Sequence, residues 1–119
     1  MSIRRIFPSS QFFEPADGEP VRSVVTTTPD CVVVAWYLKP GQSIKPHRHP
    51  TGQDTWTILS GQGEYVINEA GETRSIQAGD IVIAHTGEVH GLHNTGNEVF
   101  SFISVVAPAQ AGFELLHEA

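Results

Sequence analysis

Two histidines and an acidic residue lie close together in the stretch HRHPTGQD, residues 47 to 54. Residues two apart on an extended strand point to the same face, so His47 and His49 would hold their imidazoles side by side. Neutral imidazole is a common ligand for Zn, Cu, Fe and Ni. A single histidine in a strand is more often a surface residue or a hydrogen-bonded core residue. The pair, with Asp54 close behind it, favours metal binding.

Four more histidines occur further along the chain, namely His85, His90, His93 and His117. On an extended strand His90 shares a face with Leu92 and Asn94, whereas His93 faces the other way. A barrel would bring the face of His90 and that of the His47 and His49 pair into one cavity. His85 is interpreted as a partly exposed turn residue, with a polar role near the cavity mouth as the alternative. His117 lies in the C-terminal tail and is given no role.

The elements that must position these residues are short strands. Glycines recur every eight to ten residues from Gly61 to Gly96, and runs rich in β-branched and aromatic residues lie between turns. The runs are VRSVVTTT, VVVAWYL, DTWTILS, GEYVIN, TRSIQ, DIVIAH and VFSFISVV. This spacing predicts an all-β sandwich or barrel. The predicted core consists of Trp36, Leu38, Trp56, Ile58, Tyr65, Ile67, Phe100 and Phe102.

A length of 119 residues fits one domain. We expect an irregular N-terminal arm at residues 1–20, a β-barrel at residues 21–107 and a tail at residues 108–119. No window has a convincing helical period, and the tail AQAGFELLHEA is expected to form at most a short helical turn.

Composition excludes several classes of partner. Seven basic and thirteen acidic residues give a formal charge of −6 without any basic run, which argues against nucleic-acid binding. No apolar run approaches the roughly 18 residues needed to span a membrane. The N-terminus has no long apolar segment behind its arginines, so we expect no signal peptide and a cytoplasmic protein.

The spacing of the histidines and glycines resembles both motifs of the cupin family. The first motif reads Gly41, five residues, His47, one residue, His49, four residues, Asp54, six residues, Gly61. The second reads Gly79, five residues, His85, one residue, Gly87, two residues, His90, three residues, Asn94. The two departures are Asp54, where the family has glutamate, and His85, where it has proline.

The resemblance implies an antiparallel jelly-roll β-barrel that holds one divalent metal ion. Carried over residue by residue, the ligands are His47, His49, Asp54 and His90. Aspartate is one methylene shorter than glutamate, so Gln53 is an alternative fourth ligand. Strand parity and the six-residue gap to Gly61 favour Asp54, because Asp54 shares a face with the apolar residues of its run.

The resemblance fits three functions. The first is a metal-binding protein that holds a small organic ligand in the barrel, with Mn, Fe, Ni, Cu or Zn as the metal. The second is a metal-dependent enzyme of dioxygenase or isomerase type, for which His85 and Tyr65 are the only additional titratable groups to consider. The third is a metal-free ligand-binding or sensor module. Small cupins are often homodimers, and we expect the N-terminal arm and the run VFSFISVVA to cover edge strands across a two-fold axis.

Overall fold

The computed structural model describes residues 3–116, which form a nearly all-β protein without an α-helix in that range. Its ten strands are Ser23–Thr27 (β1), Val32–Leu38 (β2), Ser43–Arg48 (β3), Gln53–Ser60 (β4), Gln62–Val66 (β5), Thr73–Gln77 (β6), Ile81–Ala84 (β7), His90–His93 (β8), Phe100–Ala107 (β9) and Glu114–Leu115 (β10). The arm before β1 contains one 3₁₀ turn, Ser9–Gln11. All seven runs expected to be strands are strands. Within residues 3–116, no helix is long and apolar enough to cross a lipid bilayer.

The strands form two five-stranded antiparallel sheets. The first sheet has the order β1-β2-β9-β4-β7, and the second has the order β10-β3-β8-β5-β6. Strands adjacent in a sheet are mostly distant in sequence, as the long connections of a jelly roll require. The predicted antiparallel jelly-roll fold is confirmed.

The core lies between the two sheets because alternate residues of each strand point inward. The first sheet contributes Leu38, Trp56, Ile58, Phe100 and Phe102, and the second contributes Ile44, Tyr65, Ile76 and Leu92. The Trp56 ring stacks on Phe102 with 4.1 Å between ring centroids. Trp36 and Ile67 are only partly buried and pack against the rim of this cluster.

One expectation about the dimer interface is wrong. The run VFSFISVVA forms β9, which lies between β2 and β4 in the middle of its sheet, so it does not cover an edge. The described part of the tail begins with one hydrogen-bonded turn, in which the Ala111 N–H donates to the Pro108 carbonyl, and it ends in β10, where Glu114 and Leu115 pair with Arg48 and His47 of β3. A two-residue strand has no periodicity of its own, and its partner strand decides its conformation.

Candidate metal centre

Two neighbouring strands of the second sheet bring the three predicted histidines together. His47 of β3 lies directly opposite His90 of β8 in the antiparallel register, and His49 follows just beyond the end of β3. The ring centroids of His47 and His90 are 4.1 Å apart, and that of His49 lies 5.3 Å and 5.2 Å from those two. All three side chains are buried.

Asp54 reaches this cluster from the opposite sheet. It lies on β4 and is buried, and its Oδ2 atom is 3.3 Å from Nε2 of His49 and 3.1 Å from Nε2 of His90. Gln53, the neighbouring residue on β4, is exposed because its side chain has the opposite parity. The structure therefore groups Asp54, and not Gln53, with the three histidines.

One potential ligand atom from each of His47, His49, Asp54 and His90 lies within 4.8 Å of all the others. Metal–nitrogen and metal–oxygen bonds of about 2.0 to 2.2 Å separate neighbouring ligand atoms by about 3 to 4 Å. The four side chains therefore have the chemistry and the spacing to hold a transition-metal ion with little movement.

Backbone carbonyls fix the orientation of all three imidazole rings. Nδ1 of His47 donates to the Lys45 carbonyl at 2.8 Å, and Nδ1 of His49 donates to the Gly112 carbonyl at 2.7 Å. Nδ1 of His90 donates to the Glu88 carbonyl at 3.2 Å. A carbonyl oxygen only accepts hydrogen bonds, so each Nδ1 carries the proton and each neutral ring has its lone pair on Nε2. Such outer contacts are typical of metal-bound histidines.

The pKa values in the cluster follow from burial and from the single carboxylate. Burial lowers the pKa of His47 to about 4, and the neighbouring His90 contributes in the same direction, so His47 is neutral at pH 7. Burial also acts to lower the pKa of His49, but hydrogen bonds to Asp54 and Gly112 outweigh it and raise that pKa. Burial acts to raise the pKa of Asp54, yet hydrogen bonds from the His49 and His90 rings in their protonated form and from Ser104 outweigh it, so the carboxyl stays ionised.

Ser104 is a site residue that the sequence reasoning missed. It is buried on β9, and its hydroxyl donates to Oδ1 of Asp54 at 2.6 Å, which leaves Oδ2 to face the histidines. A signal existed in the sequence, because Ser104 shares strand parity with Phe100 and Phe102 and is the polar residue on that inward face. The Gly112 carbonyl and Phe113, whose ring centroid is 5.0 Å from that of His47, come from the tail and had no such signal.

The remaining histidines lie away from the cluster or outside the described residues. His85 is exposed, and its Nδ1 donates to Glu88 Oε1 at 2.8 Å within a turn. His93 is exposed on the outer face of β8, as its parity predicts, and it hydrogen-bonds with Ser43 Oγ. His117 is among the residues that the structure does not describe.

A cavity of about 540 Å³ adjoins the cluster. His47, His49 and Asp54 form part of its wall, and exposed residues around its opening include Arg22 and Lys45. Most of the remaining wall is apolar. This volume falls within the roughly 300 to 1,000 Å³ typical of small-molecule sites.

A model of the cupin domain matches residues 34–106, well over half of the chain. The chain belongs to the cupin domain family. A solved structure of an uncharacterized conserved protein with a double-stranded beta-helix domain, from Klebsiella pneumoniae, is 51% identical with a TM-score of 0.92. That match covers 98% of this chain and 100% of the Klebsiella protein.

Two curated relatives of this cupin have names that describe a role. The oxalate-binding protein of Thermotoga maritima is 36% identical over 69 residues, which is 58% of this chain and 55% of that protein. The chain therefore aligns with only about half the length of that relative. The pectin degradation protein KdgF of Dickeya dadantii is 28% identical over 92 residues, which is 77% of this chain and 81% of KdgF.

Proposed function

We propose that this cupin holds one divalent transition-metal ion at His47, His49, Asp54 and His90, and that it binds a small organic molecule in the adjoining cavity. The observation that carries the proposal is the contact of Asp54 Oδ2 with two Nε2 atoms. Nδ1 of both His49 and His90 already donates to a carbonyl, so a neutral ring would direct its Nε2 lone pair at the carboxylate oxygen. A proton on His49 would relieve only one of these contacts, whereas a single shared cation relieves both and stabilises the buried negative charge.

The ligand set suits Mn, Fe, Ni, Cu or Zn. Three imidazole nitrogens with one carboxylate oxygen are accepted by all of these ions, and availability often decides among them. An ion bound there would act as a Lewis acid towards an oxygen atom of the organic molecule. The protein supplies the fixed imidazole rings, the ionised carboxylate and the cavity that selects the ligand.

A binding role is better supported than an isomerase role, which moves a proton on the substrate. A general acid or base has to lie within reach of the reacting atoms. His85 is exposed in a turn, and neither it nor Tyr65 lines the cavity. Burial raises the pKa of Tyr65 far above neutral, so its hydroxyl keeps its proton. The name of the Thermotoga relative, an oxalate-binding protein, supports the same choice.

The test is elemental analysis of the purified protein, with the variants His90→Ala and His93→Ala prepared alongside. We expect about one metal ion per chain in the wild-type protein and in His93→Ala, and little in His90→Ala. Both residues lie on β8, but only His90 is buried in the cluster, so the pair controls for loss of a histidine from this strand. A wild-type protein without metal that also takes none up on reconstitution would favour the metal-free module.

We also propose a cytoplasmic location on the basis of the sequence. Fractionation of cells that produce the protein at its native level tests it, and recovery in a membrane or secreted fraction would argue against it.

A further inference from the structure

The cavity has an apolar wall that begins beside the candidate metal centre. Val32, Val34 and Trp36 alternate along β2 and line the cavity together. In the sheet register Val34 lies opposite Ser104, which donates to Asp54, and Val32 lies opposite Val106. The wall thus runs from the carboxylate across two neighbouring strands. Its side chains offer a bound molecule hydrocarbon contact and no hydrogen bonds, apart from the indole N–H of Trp36.

The opening of the cavity carries an unbalanced cation. Lys45 lies 4.0 Å from Glu19, so these two charges largely offset each other. Arg22 also lines the cavity, and among residues 3–116 no carboxylate lies within ion-pair distance of it. Arg22 thus lines the same cavity as His47, His49 and Asp54. A guanidinium in this position is well suited to a carboxylate.

The candidate centre itself also favours an anion. A divalent ion held by three neutral imidazoles and one carboxylate carries a net charge of about +1 in a buried site. A bound carboxylate would cancel that charge, which a neutral ligand would leave uncompensated.

We propose that the ligand is a small organic monoacid, with one carboxylate directed at the metal centre and Arg22 and a hydrocarbon body that lies against Val32, Val34 and Trp36. This proposal rests on the proposed function, since it uses the metal site and the cavity together. Such a ligand differs from a compact dicarboxylate such as oxalate, which has no apolar part to pack against this wall.

The first test is calorimetry on the metal-loaded protein with propanoate, butanoate, pentanoate, hexanoate and oxalate. Each buried methylene should raise affinity about fourfold, so hexanoate should bind about 60-fold more tightly than propanoate, and more tightly than oxalate. Affinity that stays flat along the series, or oxalate as the strongest ligand, would overturn the proposal. Metal content measured on the same samples separates this outcome from failure of the metal site.

Paired variants then locate the two parts of the ligand. Val32→Phe fills the cavity and should lower hexanoate affinity about tenfold or more with unchanged metal content, as a misfit in an apolar pocket does. Val33→Phe adds the same volume on the opposite face of β2 and should have little effect. Equal losses in the two variants would place the hydrocarbon elsewhere.

Arg22→Gln should weaken hexanoate about two- to fivefold, as expected for an exposed charge, and should leave hexanamide unchanged. Arg74→Gln, which changes an exposed arginine that does not line the cavity, should affect neither compound. An Arg22→Gln protein that binds hexanoate as the wild type does would remove Arg22 from the site.

Discussion

Replacing Ser104 with alanine should weaken metal binding by about 10- to 100-fold, although Ser104 is not itself a ligand. Its hydroxyl donates to Oδ1 of the buried Asp54 carboxylate at 2.6 Å. A hydrogen bond to a charged group contributes about 1.5 to 3 kcal/mol. A 10- to 100-fold change in affinity corresponds to about 1.4 to 2.8 kcal/mol. The two ranges agree, and losses of this size are typical when a residue that orients a metal ligand is removed.

Ser101 provides the matched control for this substitution. It lies on the same strand, β9, and is also buried, and its hydroxyl makes a hydrogen bond of the same length, 2.6 Å, to Ser60 Oγ. That contact joins two neutral groups, so Ser101→Ala should cost about 0.5 to 1.5 kcal/mol of stability and leave metal affinity unchanged. The comparison separates an effect on Asp54 from the general cost of deleting a buried hydroxyl on this strand.

The assay is a competition titration of each metal-free protein with a chelator of known affinity, together with urea unfolding of the same samples. Ser104→Thr, which keeps the hydroxyl, should retain most of the affinity. If the Ser104→Ala protein binds metal within twofold of the wild-type affinity, or no more weakly than the Ser101→Ala protein, then Asp54 does not need the serine for metal binding.

Three further outcomes follow from the same contacts. In the same titration, Asp54→Ala should reduce metal affinity far more than Gln53→Ala, because only the aspartate is buried with the histidines. An equal or larger loss of affinity for Gln53→Ala would contradict this prediction. In the metal-free protein, the free energy of unfolding should peak near pH 6.5, the ordinary histidine pKa. Because the folded state raises the pKa of His49, the free energy of unfolding increases as the pH falls towards 6.5. Because the folded state lowers the pKa of His47 to about 4, the free energy of unfolding then decreases by about 3 kcal/mol between pH 6.5 and 4. Urea titrations between pH 8 and 4 check this, and stability that is constant or rises below pH 6.5 would contradict it. Light scattering at several concentrations should show a homodimer that becomes monomeric when the exposed arm before β1 is deleted. A wild-type protein that is monomeric at every concentration would exclude the homodimer.

The sequence by itself predicted the all-β class and the strands, and its resemblance to the two cupin motifs supplied the jelly-roll topology and the four candidate ligands. Runs rich in β-branched and aromatic residues between regularly spaced glycines predicted the strands, because such side chains pack well on a pleated sheet. Successive side chains of a strand point to opposite faces. The same local rule placed His47 and His49 on one face and distinguished Asp54 from Gln53. The assignment of side chains to strand faces depends only on residues that are close together in the sequence, and for that reason the structure agrees with it.

Only the tertiary structure decided which groups surround the four candidate ligands. Ser104 is 50 residues from Asp54 in the chain, and the Gly112 carbonyl is 63 residues from His49, so their contacts depend on which strands become neighbours and in what register. The strand β10 exists because β3 offers it an edge, and it brings the tail onto the cavity. The position of the apolar wall beside the candidate metal centre likewise depends on the pairing of Val34 on β2 with Ser104 on β9. Pairing between distant strands is fixed by hydrogen bonding and core packing of the whole domain, and no local pattern of residues specifies it.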